Sequence, residues 1–552
     1  MPNNDLEAEI HPLKREDERP QENYERSRDN GALCEKKSRF FDMSFVRMAA
    51  FFISLFLCLA MVFVFSFIIP CPIRPASEKA WSKDYQNAVT YRFLAMEDVN
   101  EDKVQDIIFV FKTSNSSGFN KSCSDEGFSS PCAFVTALSG TNGSVVWEEA
   151  VTEDIMFIEC GIERLGEAHF PGCLVIGKDN DLIAVDSHTG KTLWKKPSHF
   201  RAYSSLMTPL LKIPDVDGDE IQDLLIFTTD QDKIQGYFYS GRNGDVIGQN
   251  GSLSLNGTTG YLLHVTKSGT RYLLFYKGHS IYAYALGDLY TLATGISTKP
   301  KTIKQDPEWE KKLNSAGYIP IPISSSEDIR YLMKVPGEGY ENLLVVTSTI
   351  SQLLDGQSLH SLWTINTTNV LSEPTLGYYK RKALSIIIEV NVGDNRKKVV
   401  IRSIGSGEVQ WETELKSGPQ NPKPAVLHAV DGRSVVLFWG GSQTYSNETE
   451  LPVNQNLYMF HPSHPEYLLQ LNSSTKSIVI FNALLFEHGR HASYVLLTGP
   501  LASEFPGIVS VSKQKLKEDI KTSSAMRLSQ EGKHSDETIL DFFSSLRYSS
   551  DV

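Results

Sequence analysis

Polar and apolar residues alternate differently in successive parts of this chain. Residues 48–69, MAAFFISLFLCLAMVFVFSFII, form one apolar run of 22 residues without a charge. As a helix it would be about 33 Å long, enough to cross a bilayer core. It therefore predicts a transmembrane helix. Residues 1–47 are polar and charged and predict a disordered tail. Residues 70–84, PCPIRPASEKAWSKD, predict a stiff proline-containing stalk.

Across 85–515 the pattern changes to short apolar strands separated by polar turns. Strands are expected at 105–111, 173–177, 223–228, 271–276, 342–347, 383–390, 434–439 and 494–497, each the inner strand of one repeat. Eight repeats give about 54 residues apiece, a length that suits propeller blades.

The turns repeat as well. Ala-Leu-Ser-Gly-Thr-Asn-Gly143-Ser-Val-Val-Trp147 is echoed by Ala-Val-Asp-Ser-His-Thr-Gly190-Lys-Thr-Leu-Trp194. Further copies end at Trp363 and Trp411, so four of the seven tryptophans share one repeat position. Weaker copies run over 239–248 and 459–469. The glycine supplies the positive φ of a tight hairpin, and the large ring packs against the neighbouring blade. The expected fold is all-β: a β-propeller of eight blades, or seven, after one transmembrane helix. Residues 300–325 break the pattern and read as an insertion. Residues 516–552 form a tail, in which Ile539, Leu540, Phe542, Phe543 and Leu546 contain helical spacing and predict a short amphipathic helix.

Charge sets the topology. Nine Lys or Arg precede the apolar run, and three, Arg74, Lys79 and Lys83, follow within 15 residues. The excess places the N-terminus in the cytoplasm, a type II arrangement at the cell surface or in secretory membranes. The whole chain carries a formal charge of −12. It offers no basic footprint, so a nucleic-acid partner is disfavoured.

Eight Asn-x-Ser/Thr acceptors, Asn115, Asn120, Asn142, Asn250, Asn256, Asn366, Asn447 and Asn472, all follow the apolar run, as expected of a glycosylated outer domain. Five cysteines lie on that side. Short local loops favour the pairs Cys123–Cys132 and Cys160–Cys173 in an oxidising compartment. Cys71 is left over. It is either a free or locally paired thiol, or the bridge of a parallel homodimer.

Two segments carry candidate metal chemistry. Asp215-Val-Asp217-Gly-Asp219-Glu-Ile221-Gln-Asp223 and Asp98-Val-Asn100-Glu-Asp102-Lys-Val104-Gln-Asp106 place oxygen side chains at positions 1, 3, 5 and 9. Such loops can wrap a hard cation, with the position-7 carbonyls of Ile221 and Val104 completing the shell. Position 12 is Ile226 or Phe109 rather than Glu, which excludes an EF-hand. Calcium in a structural role is the expected cofactor. Both loops are expected between peripheral strands of their blades.

These residues carry a resemblance. Asp-x-Asp-Gly-Asp-x-x-x-Asp-Leu resembles the calcium loop of integrin-alpha FG-GAP repeats, and the Thr-Gly-x-x-x-Trp segments resemble blades of quinoprotein-type propellers. Together with the Ile-Pro-Cys71-Pro membrane exit and Tyr458-Met-Phe-His-Pro462, the whole chain is similar to the integrin-alpha FG-GAP repeat-containing, single-pass family with sequence similarity 234. The resemblance implies an extracellular propeller and no established activity. A quinoprotein-like enzyme would need adjacent cysteines, and neither these nor a Gly-x-Ser-x-Gly or His-Glu-x-x-His motif appears. The expected function is non-enzymatic: binding of a protein partner as a receptor, adhesion or accessory protein. The alternative is a chaperone or sorting accessory of another membrane protein. The terminal Ser-Asp-Val552 matches a PDZ ligand, but the topology places it away from cytoplasmic domains.

Overall fold

The structure is a computed structural model. It describes residues 39–68, 80–114, 122–201, 204–230, 233–248, 251–253, 260–296, 299–418, 420, 422–441, 454–486, 492–530 and 532–549. Cys71, Asn115, Asn120, Asn250, Asn256 and Asn447 lie outside them, as does residue 552. The chain divides into two compact units, 1–74 and 75–552.

Within the first unit, one helix spans Arg39–Ile68. Its stretch Arg47–Val64 has a mean hydropathy of 2.3 and no buried residue. That is long and apolar enough to cross a membrane.

The second unit is built of antiparallel strands. β1 (Trp81–Glu97), β2 (Asp106–Thr113), β3 (Cys132–Leu138) and β4 (Val145–Thr152) follow one another as neighbours. β1 does two things. Its first half pairs with Gly507–Lys515, Trp81 lying opposite Lys513. Its second half pairs with β2, Glu97 opposite Asp106. Asn87, with φ of 52°, marks the change. The strand thus joins the last sheet to the first and gives the seven-stranded order in which the ring closes. Divided at this point, the described residues hold eight four-stranded groups, and one gains a fifth strand, Ser524–Arg527, on Tyr467–Ser474. First strands of successive groups touch, among them Ala425–His428 with Ile478–Leu484, and Ile478–Leu484 with β1. This is a β-propeller.

The eight apolar strands expected from sequence each fall on one group, but they are second strands rather than innermost ones. The reason is burial. Second strands such as β2 and Asp223–Thr228 are covered by neighbouring blades on both faces, so their apolar runs are continuous. First strands line the channel and alternate, as in Ile155–Ile162.

Tryptophans fasten adjacent blades. Each indole N–H donates to a backbone carbonyl in the third-to-fourth-strand turn of the following blade. Trp147 reaches Ser187 at 2.8 Å, Trp194 reaches Gly241 at 3.4 Å, Trp363 reaches Ile404 at 2.6 Å and Trp411 reaches Pro465 at 2.9 Å. The ring lies on the turn glycine: a Cβ on Gly190, whose φ is 73°, would come within 2.6 Å of Trp147. Two further tryptophans do the same. Trp81 donates to Gly140 at 3.2 Å and Trp309 to Gln357 at 3.0 Å. The stretch read as a stalk therefore ends sooner than 84, because Trp81 already belongs to the propeller. The expected insertion 300–325 also needs correction. It includes the strand Ile319–Ile321 of the fourth group, while Trp309, on a short helix Pro307–Glu310, replaces that group's missing strand tryptophan.

The C-terminal helix spans Asp536–Ser545. Ser535 caps it, accepting from the Thr538 N–H. Ile539 and Phe543 are buried in a cluster with Leu427, Tyr467, Leu516 and Ile520, so the helix docks on the propeller.

Candidate metal centre

Both acidic loops connect the first and second strands of a blade, not peripheral strands. Loop 98–106 joins β1 to β2, and loop 215–223 joins Ser205–Ile213 to Asp223–Asp230. The position-9 aspartates, Asp106 and Asp223, head second strands and are wholly buried. Asp223 accepts from Val216 N–H at 2.7 Å and Gly241 N–H at 3.3 Å. Asp106 accepts from Val99 N–H at 3.0 Å and Gly140 N–H at 2.8 Å.

Those glycines also receive the tryptophan clamps, through their carbonyls. Each acidic loop is thus tied by one glycine to the ring of the preceding blade. Nothing larger fits: a Cβ on Gly241 would lie 2.0 Å from the Gln222 carbonyl oxygen, and one on Gly140 1.9 Å from that of Gln105.

Position 5 is matched too. Asp219 accepts from Ile221 N–H at 2.9 Å and the Ser240 hydroxyl at 3.1 Å. Asp102 accepts from Val104 N–H at 2.8 Å and the Thr141 hydroxyl at 3.1 Å. Ile221 and Val104 are buried.

The outer ligands differ. Asp215, Asp217 and Asp223 place carboxylate oxygens within 4.8 Å of one another, the one grouping of three or more such side chains among the described residues. The difference is one of charge, since the backbone bonds are alike: Asp215 accepts from Gly218 N–H at 2.6 Å and Glu220 N–H at 2.9 Å and Asp217 from Asp219 N–H at 3.2 Å, while Asp98 accepts from Asp102 N–H at 3.1 Å and Lys103 N–H at 2.9 Å and Asn100 from Asp102 N–H at 2.9 Å. Burial pushes the Asp223 carboxyl up to about 7 and the Asp106 carboxyl up to about 6; backbone donors oppose the shift, and neighbouring aspartates add to it. Burial likewise raises Asp217. Convergent carboxylates of this kind fit a hard cation, whose charge offsets their repulsion.

Both expected disulfides are present, Cys123–Cys132 and Cys160–Cys173, with Cα separations of 5.7 and 4.0 Å. Asn142, Asn366 and Asn472 are exposed.

A cavity of about 310 Å³ beside loop 98–106 is lined by Glu97, Asp98, Phe170, Ser187 and His188, among others. Ser187 donates to the Pro171 carbonyl at 2.6 Å, and His188 stacks on Phe170 at 4.3 Å. The serine is committed to backbone and the imidazole to a ring, an arrangement unlike a nucleophile and its base. Sequence reasoning missed this cavity, whose walls come from two blades. It also missed the roles of Trp81 and Trp309, which lack the repeat turn that precedes the other clamps.

Residues 81–549 match the FAM234A/B beta-propeller family. Protein FAM234A of Homo sapiens is 44% identical over 99% of both chains, and that of Mus musculus 43% over 100% of both. Protein FAM234B of Gallus gallus is 31% identical over 88% of this chain and 79% of its own. Among solved structures, the WD40 domain of SCAP from fission yeast has a TM-score of 0.43 and 11% identity, covering 78% of this chain and 98% of its own. BamB from Moraxella catarrhalis has a TM-score of 0.39 and 13% identity, covering 78% and 100%.

Proposed function

Because the chain belongs to the FAM234A/B β-propeller family, we propose that it is a non-enzymatic, calcium-stabilised binding module. In this reading an eight-bladed, glycosylated ectodomain of a type II membrane protein presents a rigid surface to a protein partner. The observation that carries the reading is the use made of the acidic loops. Their carboxylates are tied into the framework, Asp223 and Asp106 to the clamp glycines and Asp219 and Asp102 to turn hydroxyls. Groups so anchored hold blades in place. Calcium, when bound, supplies the positive charge that lets Asp215, Asp217 and Asp223 remain ionised together. The FG-GAP-like spacing supports the assignment of that cation. Asp98, Asn100, Asp102 and Asp106 form a second, weaker site on this view, and the Ile221 and Val104 carbonyls complete the two shells.

The apolar helix, the excess of basic residues before it and the acceptor asparagines after it support a cytoplasmic N-terminus and an outer propeller in the cell-surface or secretory membranes. Cys71, just beyond the helix in sequence, would then link a homodimer. Tags at both ends test the topology. Antibody should reach only the C-terminal tag on unpermeabilised cells, and glycosidase should increase gel mobility. Staining of the N-terminal tag alone would overturn the orientation. If neither tag stains, protease protection of microsomes should leave the C-terminal domain intact, and its digestion would count against the reading.

A further inference from the structure

The turn that follows strand Gln455–Phe460 carries His461 and His464, and the C-terminal helix rests on it. The His461 and Phe542 rings are 5.4 Å apart at their centroids, and His461 and Phe543 6.4 Å. His464 lies 4.3 Å from Phe542 and 5.4 Å from His534, which precedes the helix. His534 is fixed in turn: its N–H donates to the Tyr467 hydroxyl at 3.0 Å, and its carbonyl accepts from that hydroxyl at 3.0 Å and from Arg527 at 3.4 Å. Beyond the helix, the Ser549 N–H donates to the His428 carbonyl at 2.9 Å and the Val430 N–H to the Arg547 carbonyl at 2.9 Å. The segment is thus held by Ile539, Phe543 and Tyr548, buried in the apolar cluster, by Phe542 and Phe543 against the histidines, and by backbone bonds at its end.

We propose that the helix Asp536–Ser545 is a pH-released latch, in which protonation of His461 and His464 around Phe542 frees the helix and uncovers the apolar surface beneath Ile539 and Phe543. The hydrogen bonds of His461 supply the reason. Its Nδ1 accepts the Ser463 N–H at 3.1 Å, so the neutral ring carries its proton on Nε2. A second proton must go to Nδ1 and would face another donor. The side chain is fully buried. Asp431, in the neighbouring connection, is 3.5 Å from Nε2 and favours the charge, while Arg433 and His464 oppose it. His464 is opposed by His534 and favoured by Glu466. The helix itself sets only the rings of Phe542 and Phe543 against these imidazoles.

Burial, the largest influence, lowers His461 to about 4 and lowers His464 as well. The docked helix therefore prefers neutral rings. Docking is complete above the ordinary histidine range and weakens as pH falls from about 6.5 towards 4. With the released ring back at the ordinary histidine value, His461 shifts the latch equilibrium by at most about 25-fold between pH 7.4 and 5.0. The inference is independent of calcium and of any partner.

Hydrogen exchange on the full chain in lipid nanodiscs tests it, with each amide corrected for its intrinsic rate. Protection of residues 536–549 is read relative to strand Ser434–Gly441 at pH 7.4 and 5.0. The relative protection should fall roughly 10- to 30-fold at pH 5.0. In the double variant His461→Gln, His464→Gln it should stay level. His464→Gln alone, which keeps the buried His461, should show a smaller fall than the parent and serves if the double variant loses the reference strand's protection. Phe542→Ala should lower protection at both pH values. A parent whose helix protection does not change with pH, or a fall undiminished in the histidine variants, would overturn the latch.

Discussion

Loops 98–106 and 215–223 share one backbone path and differ in what they hold. Position 4 has positive φ in both, 60° at Glu101 and 89° at Gly218, and position 6 has φ of 67° at Lys103 and at Glu220. Positions 5 and 9 make the same bonds to their turns. At position 3, however, one loop has Asn100 and the other Asp217. Position 6 is a lysine in the first and a glutamate in the second. The second loop is also braced from both sides: Thr302 donates to the Asp215 carbonyl at 2.6 Å, and Arg164 to the Glu220 carbonyl at 3.1 Å. The bonds common to both loops serve the scaffold, whereas the charge gathered at positions 1, 3 and 9 makes the second loop the stronger candidate for the proposed cation.

The comparison breaks most completely when the shared scaffold is removed. Gly241→Ala and Gly140→Ala each force a Cβ into a backbone carbonyl, and each should cost more than about 4 kcal/mol. Trp194→Ala and Trp81→Ala remove the clamps on the same glycines and should cost about 3–5 kcal/mol. Denaturant melts should show these losses for both loops alike, with or without calcium, and in cells the variants should be retained and degraded. Normal melting of Trp194→Ala would remove the clamp from the account.

A smaller effect separates the loops. Calcium at 100 times its Kd should stabilise the folded chain by about 2.7 kcal/mol per site. Asp217→Ala should abolish most of that gain, and Asn100→Ala much less of it. Equal losses would mean that charge at position 3 does not rank the sites.

The effect of Asp223→Asn should depend on calcium. An asparagine removes a buried charge and can keep its oxygen for the Gly241 N–H, but loses the Val216 N–H bond; the two effects oppose each other, so in chelator the variant should melt within about 1 kcal/mol of the parent. In calcium it should melt below. The fifth blade shows the amide in this place, where the Asn342 side chain accepts from Gly356 N–H at 3.0 Å. The smallest effect is expected from Glu101→Gly, which relieves a left-handed conformation worth about 1 kcal/mol. It should raise the melting temperature slightly in calcium and in chelator.

Much of this was legible from residues whose signals are local. Each repeat turn with its tryptophan, each disulfide and each acidic loop sits within about a dozen consecutive residues. What escaped depends on distant parts of the chain. β1 closes the ring by pairing Trp81 with a strand more than 400 residues away, so no local pattern distinguishes it from the proline-rich stretch before it. Trp309 clamps from a short helix rather than from a strand. Second strands read as innermost ones in the sequence because continuous burial raises apolar content more than position in the blade does. The histidines around Phe542 come from two segments joined only by folding.

On the proposal above, loop 215–223 holds calcium and thereby stabilises the propeller. Thermal melting of the full chain in nanodiscs, in calcium and in chelator, tests it most directly when the parent is run beside Asp217→Ala. The parent should melt several degrees higher in calcium, and the variant should show little of that difference. Equal melting of the parent in both conditions, or an equal calcium shift in parent and variant, would contradict the claim.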